Sequence, residues 1–171
     1  AQAHASITEA VTGVDGNGGS VIANSTGVTV VNNNSTFADT PTIGGSAAVG
    51  SELSAINTAT TDIDGDSITL NYQWQANGVE ITGATGASFT LTSAQAQASI
   101  SVTITGGDGY GGSTPTVTTS AVLVADSSPI FIATPSSTGS ATLGSSLGVI
   151  NTATTDADGD TVVLAYQWQA D

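Results

Sequence analysis

Residues 62–76 read DIDGDSITLNYQWQA. From Ser67 onwards this stretch alternates: Ile68, Leu70, Tyr72 and Trp74 fall on one face, and Thr69, Asn71, Gln73 and Gln75 on the other. A period of two marks a strand with one buried face. The pattern extends outward from there. Residues 99–105 place Ile100, Val102 and Ile104 on one side, and residues 88–92 do the same with Phe89 and Leu91. Residues 116–125 supply Val117 and the apolar run 121–124, Leu53 and Ile56 belong to a further strand, and Phe37 lies near the first. Turn signals separate these runs at Asp64-Gly65, Asn77-Gly78, Thr85-Gly86 and residues 106–112. No segment shows a helical period with caps.

The opening stretch also recurs. Residues 156–170 read DADGDTVVLAYQWQA, and residues 41–77 align without gaps on 135–171, at a spacing of 94 with 23 identities in 37 positions. Residues 1–20 align on 94–113 at a spacing of 93, with 13 identities in 20. A fixed period of this kind is the mark of a repeat architecture. The chain divides into the C-terminal portion of a preceding repeat (1–36), one complete repeat (37–130) and the N-terminal portion of a following repeat (131–171). Neither flanking portion holds a counterpart of residues 78–93. About seven short strands per repeat, regular turns and one central Trp predict an all-β fold of immunoglobulin-like β-sandwich repeats in tandem, with Trp74 and Trp168 as core residues.

Composition narrows the function. The 171 residues include 14 Asp and Glu, one His, and no Lys, Arg, Cys or Met, for a net charge of -14. Without a cation the chain cannot neutralise phosphates, so nucleic-acid binding is excluded, as are a P-loop and a polybasic anchor. Without Cys it has no disulfide, thiolate zinc site or Cys nucleophile. No run of 18 apolar residues predicts membrane insertion, and Ala-Gln-Ala-His-Ala at the start does not read as a signal peptide. Charge is sparse and hydrophobicity ordinary, unlike a disordered acidic tail. An acidic chain without cations suits an extracellular, calcium-containing setting.

The string YQWQANGVEITGATGASFTLTSAQAQASISVTITGGDGYGG at residues 72–112 resembles the immunoglobulin-like or cadherin-like tandem repeats of large bacterial surface adhesins and biofilm proteins. Such repeats carry an acidic DADGD loop, a YQW strand, a GAT turn and a DG-x-G loop. Here these stand at 156–160 (with DIDGD at 62–66), 72–74, 83–85 and 108–111. The resemblance covers essentially the whole chain. It implies a cell-surface or secreted structural module whose partners are neighbouring copies of the same repeat. The Asn-Asp-Ala-Pro linker common in such repeats is replaced by Asn-Ser-Thr-Phe-Ala-Asp at 34–39 and Asp-Ser-Ser-Pro at 126–129.

The repeated acidic loop is the strongest candidate for chemistry. Asp62, Asp64 and Asp66, and again Asp156, Asp158 and Asp160, offer oxygen ligands at alternate positions around a Gly, as Ca2+ requires. The spacing is not that of an EF-hand, and the same residues could simply cap a polar turn. In an immunoglobulin-like sandwich the loop before the Trp strand and the loop between the last two strands share one end. That arrangement brings Asp108 towards residues 62–66, with Asn32, Asn33 and Asp39 arriving on the linker. By the same logic Asp126 approaches residues 156–160, and Asp15 serves the module that residues 1–36 complete. Carboxylates gathered without Lys or Arg call for a cation, so Ca2+ is the expected cofactor.

Other signals are weaker. The glycine-rich stretches 13–19 and 106–112 lie between strands and do not suit dinucleotides. Sequons stand at Asn24, Asn33 and Asn34. His4 aligns with Gln97 and reads as an ordinary surface residue. Glu52 and Glu80 lie on separate loops, and no base–nucleophile pair recurs, so no enzyme is expected. The function expected is a structural module of an extended rod or fibre for adhesion or matrix. The alternatives are a filament or surface-layer subunit with half-domains completed between chains, and a glycan-binding module using Tyr110.

Overall fold

The computed structural model describes residues 4–56, 60–150 and 153–170. Parts of both INTATTD stretches, at 57–59 and 151–152, therefore lie outside the described residues, as do 1–3 and 171. The protein is all-β, and the described residues contain no α-helix. The preceding portion contributes β1 (Ser6–Ile7), β2 (Ala10–Val14), β3 (Ser20–Asn24) and β4 (Val28–Thr29). The central unit opens with β5 (Thr36–Phe37), β6 (Thr42–Gly45), β7 (Glu52–Ile56) and β8 (Thr60–Thr61). Then come β9 (Thr69–Ala76), β10 (Val79–Glu80) and β11 (Ser88–Thr90), and a single 3-10 turn at Ser93–Gln95. β12 (Ser99–Gly107), β13 (Val117–Thr118) and β14 (Val122–Leu123) complete it. The following portion holds β15 (Ile130–Phe131), β16 (Ser136–Gly139), β17 (Leu147–Ile150) and β18 (Thr154–Thr155).

The central unit has two main sheets. One runs β10-β9-β12-β13, with β14 also on β12, and the other runs β11-β7-β6. Its spine is the antiparallel pair β9 and β12, in register from Ala76 opposite Ile100 to Thr69 opposite Gly107, with Trp74 opposite Val102. The inward rows read from the sequence form the core. Trp74, Ile100, Val102 and Ile104 from one sheet are buried with Leu53 from the other, and Ala84, Leu91, Ala98 and Val124 join them. Trp74 is fully buried, so its indole N–H must find an acceptor. It donates to the Gly86 carbonyl at 2.9 Å, and its ring stacks on Phe89 at 5.9 Å.

The last strand region departs from a single run. It breaks into β13 and β14 at Thr119, whose hydroxyl accepts the Val102 N–H at 3.2 Å while its own N–H donates to the Val102 carbonyl at 3.0 Å. A side-chain oxygen replaces one rung of the ladder, and both short strands stay on β12. Ser25 does the same for Glu9 in the preceding portion.

Both flanking units repeat central pairings in the same register. Ala10 opposite Asn24 and Ser6 opposite Thr29 match Thr103 opposite Thr118 and Ser99 opposite Leu123. Ser136 opposite Ile150 and Ile130 opposite Thr155 match Thr42 opposite Ile56 and Thr36 opposite Thr61. Gly45 and Gly139 both sit at φ +108, where a Cβ would collide with the Glu52 and Ser146 carbonyl oxygens, so only Gly fits either hairpin. What the flanks lack is closure. Residues 161–170 repeat the sequence of β9 but form no strand, and Trp168 is 51% exposed where Trp74 is 0%.

This difference predicts unequal costs. In dilute solution Trp74→Ala destabilises by about 3–5 kcal/mol in urea unfolding followed by circular dichroism. Trp168→Ala shifts stability by less than about 1 kcal/mol.

Candidate metal centres at the two module joints

Each acidic loop is built by its first Asp. Asp62 Oδ1 accepts the Asp64 N–H at 2.7 Å, and Asp156 Oδ1 accepts the Asp158 N–H at 2.9 Å. The turn closes through Gly65 and Gly159, at φ +83 and +82, whose N–H groups each reach the carbonyl of that first Asp at 3.3 Å. The carboxylates therefore do form a capped polar turn, as Asx residues commonly do. The turn uses one oxygen of its first Asp. Asp62 Oδ2 is buried with no hydrogen-bond partner.

The preceding portion grips the first loop. The Asn33 N–H donates to Asp64 Oδ2 at 2.6 Å, and its side-chain amide donates to Asp64 Oδ1 at 2.9 Å. The Asn32 amide donates to Asp108 Oδ2 at 2.8 Å, while Asp108 Oδ1 accepts the N–H groups of Tyr110 and Gly112 at 2.8 Å and 3.0 Å. His4 Nε2 lies 2.7 Å from Asp66 Oδ2, and its ring stacks on Tyr110 with centroids 3.9 Å apart. Ligand atoms of Asp62, Asp66 and Asp108 lie within 4.8 Å of one another, as do those of His4, Asp64 and Asp66. Asn32 Oδ1 is a further buried oxygen without a partner.

The second joint follows the same plan. The Ser127 N–H, one repeat after Asn33, donates to Asp158 Oδ2 at 2.5 Å. The Gln97 amide, at the position of His4, donates to Asp126 Oδ1 at 2.9 Å and lies 3.4 Å from Asp160 Oδ2. Ligand atoms of Asp126, Asp158 and Asp160 lie within 4.8 Å of one another. Asp158 is only 6% exposed, and its Oδ1 is buried without a partner.

Seven of the nine residues singled out in the sequence thus fall into three clusters at the two joints. Asp156 is not among the clustered residues, although its Oδ1 builds the turn just as Asp62 Oδ1 does in the first loop. Asp15 also stands apart. It caps its own loop by accepting the Asn17 and Gly19 N–H groups at 2.8 Å and 2.9 Å, just as Asp108 caps its loop. Asp39, placed near this end by the linker argument, is exposed and lines a shallow cavity with Thr36, Pro41 and Pro115 instead. His4 corrects the surface reading: its side chain is 23% exposed and bridges the joint. His4 and Gln97 share a left-handed backbone, at φ 61 and 57, which turns both side chains towards the next acidic loop. Their alignment in the repeat was the available signal. It reads as a substitution, and the shared backbone is invisible in sequence.

Hydrogen bonds to the ionised form set the electrostatics. The Asn33 N–H, then its side-chain amide, lower the Asp64 pKa, with His4 adding to this and the Asp108 charge opposing it. The Asn32 amide, then the Tyr110 N–H, lower that of Asp108. The Asn17 and Gly19 N–H groups lower that of Asp15. The clustered carboxylates, with the partnerless oxygens of Asp62 and Asn32 at the first joint and of Asp158 at the second, are hard oxygen donors of the kind a divalent cation takes. No family model matches the chain, and neither curated proteins nor solved structures give a match.

Because folding lowers both pKa values, the contribution of Asp64 and Asp108 is full above the ordinary carboxylate value of 3.8 and is lost as pH falls through the lower folded values. The Asn33 and Tyr110 amide resonances are expected to hold their positions above pH 3.8 and to move only below it in an NMR titration.

Proposed function

We propose that the chain is a run of immunoglobulin-like modules forming an extracellular rod or fibre, with Ca2+ held between successive modules. The observation that carries this reading is the repetition of the joint. Twice, the end of one unit donates backbone and amide hydrogens to the acidic loop of the next, and twice a buried carboxylate oxygen there has no partner. Neutral donors orient the carboxylates but do not cancel their charge, and the chain has no Lys or Arg to do so. A bound cation would offset that repulsion and stiffen the joint, so each module adds length without a free hinge. The central Trp on a strand of the larger sheet and the loops gathered at one end support the immunoglobulin-like description.

In this reading the chain has no catalytic role, and its work is to hold something at a distance from a surface for adhesion or matrix. A glycan-binding role would need an open aromatic face. Tyr110 already has His4 stacked on its ring, and Asn17 stands at its place in the preceding unit.

Small-angle scattering tests the reading. In millimolar Ca2+, the range of extracellular modules, the longest dimension is expected to increase and to shrink on adding chelator. Asp158→Asn is expected to weaken Ca2+ binding at the second joint by at least about tenfold while leaving the first intact. Profiles that superimpose with and without chelator would refute calcium-dependent stiffening.

A further inference from the structure

The two joints follow one plan and differ in one side chain. His4 and Gln97 hold equivalent places in the repeat, and each meets the next acidic loop. Gln97 does so through an amide, which donates to Asp126 and lies near Asp160. His4 does so through an imidazole, with Nε2 2.7 Å from Asp66 Oδ2. It is the one His of the chain. A ring nitrogen of His4 and one carboxylate oxygen each of Asp64 and Asp66 lie within 4.8 Å of one another. This group stands beside the cluster of Asp62, Asp66 and Asp108, and Asp66 belongs to both.

We infer that His4, Asp64 and Asp66 form a second cation site at the first joint, one that takes a borderline transition-metal dication of the Zn2+ kind. Imidazole nitrogen suits such ions, whereas Ca2+ takes oxygen ligands. Zn2+ is commonly held by three protein ligands of the His and carboxylate type, with water in the open position. The side chains are already held in place for it. Asp64 accepts the backbone and side-chain N–H groups of Asn33, and Tyr110 backs the imidazole ring at an interplanar angle of 10°. Hydrogen-bonded carboxylates and a fixed ring are what orient ligands around a metal. On binding, the cation replaces the hydrogen shared by Nε2 and Asp66 Oδ2, and the imidazole keeps its proton on Nδ1.

Charge and burial point the same way. Asp62, Asp64, Asp66 and Asp108 bring four carboxylates to this joint, twice the charge of one dication, and neutral donors cancel none of it. The buried oxygens without partners, Asp62 Oδ2 and Asn32 Oδ1, belong to the side of Asp62 and Asp108, where Asn32 binds Asp108. An oxygen-liganded ion there leaves Asp64 and His4 to the second ion, with Asp66 shared between the two. At the second joint only three carboxylates cluster, and the Gln97 amide brings no imidazole nitrogen, so that joint is left to an oxygen-liganded ion. The inference rests on the reading of the joints as cation sites and adds a second kind of ion to one of them.

The test is titration of the 171-residue chain with Zn2+, with and without millimolar Ca2+, followed by NMR of the imidazole, whose resonances are unambiguous because the chain has one His. Zn2+ is expected to saturate and to move the Nε2 resonance, which Ca2+ alone leaves in place. His4→Gln, which copies the second joint, and Asp64→Asn, which keeps the imidazole, are each expected to weaken Zn2+ binding by at least about tenfold. Neither substitution touches the cluster of Asp126, Asp158 and Asp160, so Ca2+ binding there is expected to stay unchanged. An Nε2 resonance that Zn2+ does not move would overturn the inference. So would an Asp64→Asn chain that binds Zn2+ as tightly as the parent, since a lone surface imidazole would then account for the binding. A flat Ca2+ titration beside saturable, Asp64-dependent Zn2+ binding would support this site and sink the Ca2+ reading alone.

Discussion

Fourteen carboxyl-bearing side chains and no Lys or Arg impose one constraint on this protein: acidic groups that meet must be held by neutral donors or by a cation from solution. The chain brings them together at its joints. Backbone N–H groups of Asn33 and Ser127 each meet a carboxylate of the following loop, and amides of Asn32 and Gln97 meet others. These bonds orient the oxygens and favour their ionised form. Within each cluster the ligand atoms lie within 4.8 Å of one another, and Asp62 Oδ2 and Asp158 Oδ1 have no hydrogen-bond partner. Stability of the modules and order between them are therefore separate matters. The apolar core around Trp74 holds the central unit together, and the N–H groups of Asn33 and Ser127 link one unit to the acidic loop of the next.

Much of this was legible in the sequence. The alternation through Ile68, Leu70, Tyr72 and Trp74 identified the central strand because one face of a sheet is buried and the side-chain period is two. The approach of Asp108 to residues 62–66 followed from the rule that alternate loops of a sandwich share an end, and that of Asp126 to residues 156–160 from the linker argument, with Asp156 itself staying outside the cluster. The repeat spacing carried the argument from one joint to the other.

What escaped the sequence depended on backbone conformation. His4 and Gln97 look unrelated as side chains, yet a shared left-handed φ aims both at the next acidic loop. Nothing in a Thr-rich stretch marks Thr119 as the residue whose hydroxyl interrupts a ladder. Asp156 opens a DADGD loop as Asp62 opens DIDGD, but it does not enter a cluster. Asp15 reads like Asp108 and makes the same turn, without a place in any of the acidic clusters. In each case residue type was visible and the use made of it was set by three-dimensional context.

Isothermal titration of the chain with Ca2+ tests the central claim most directly. The account predicts saturable binding at both joints, with affinity in the range of about 10⁻⁴–10⁻³ M typical of extracellular modules. Substitution of Asp66 or Asp158 by Asn is expected to remove one class of site and spare the other. A flat titration through millimolar Ca2+ would contradict the account, since the buried carboxylate oxygens of Asp62 and Asp158 would then have to be explained without a cation.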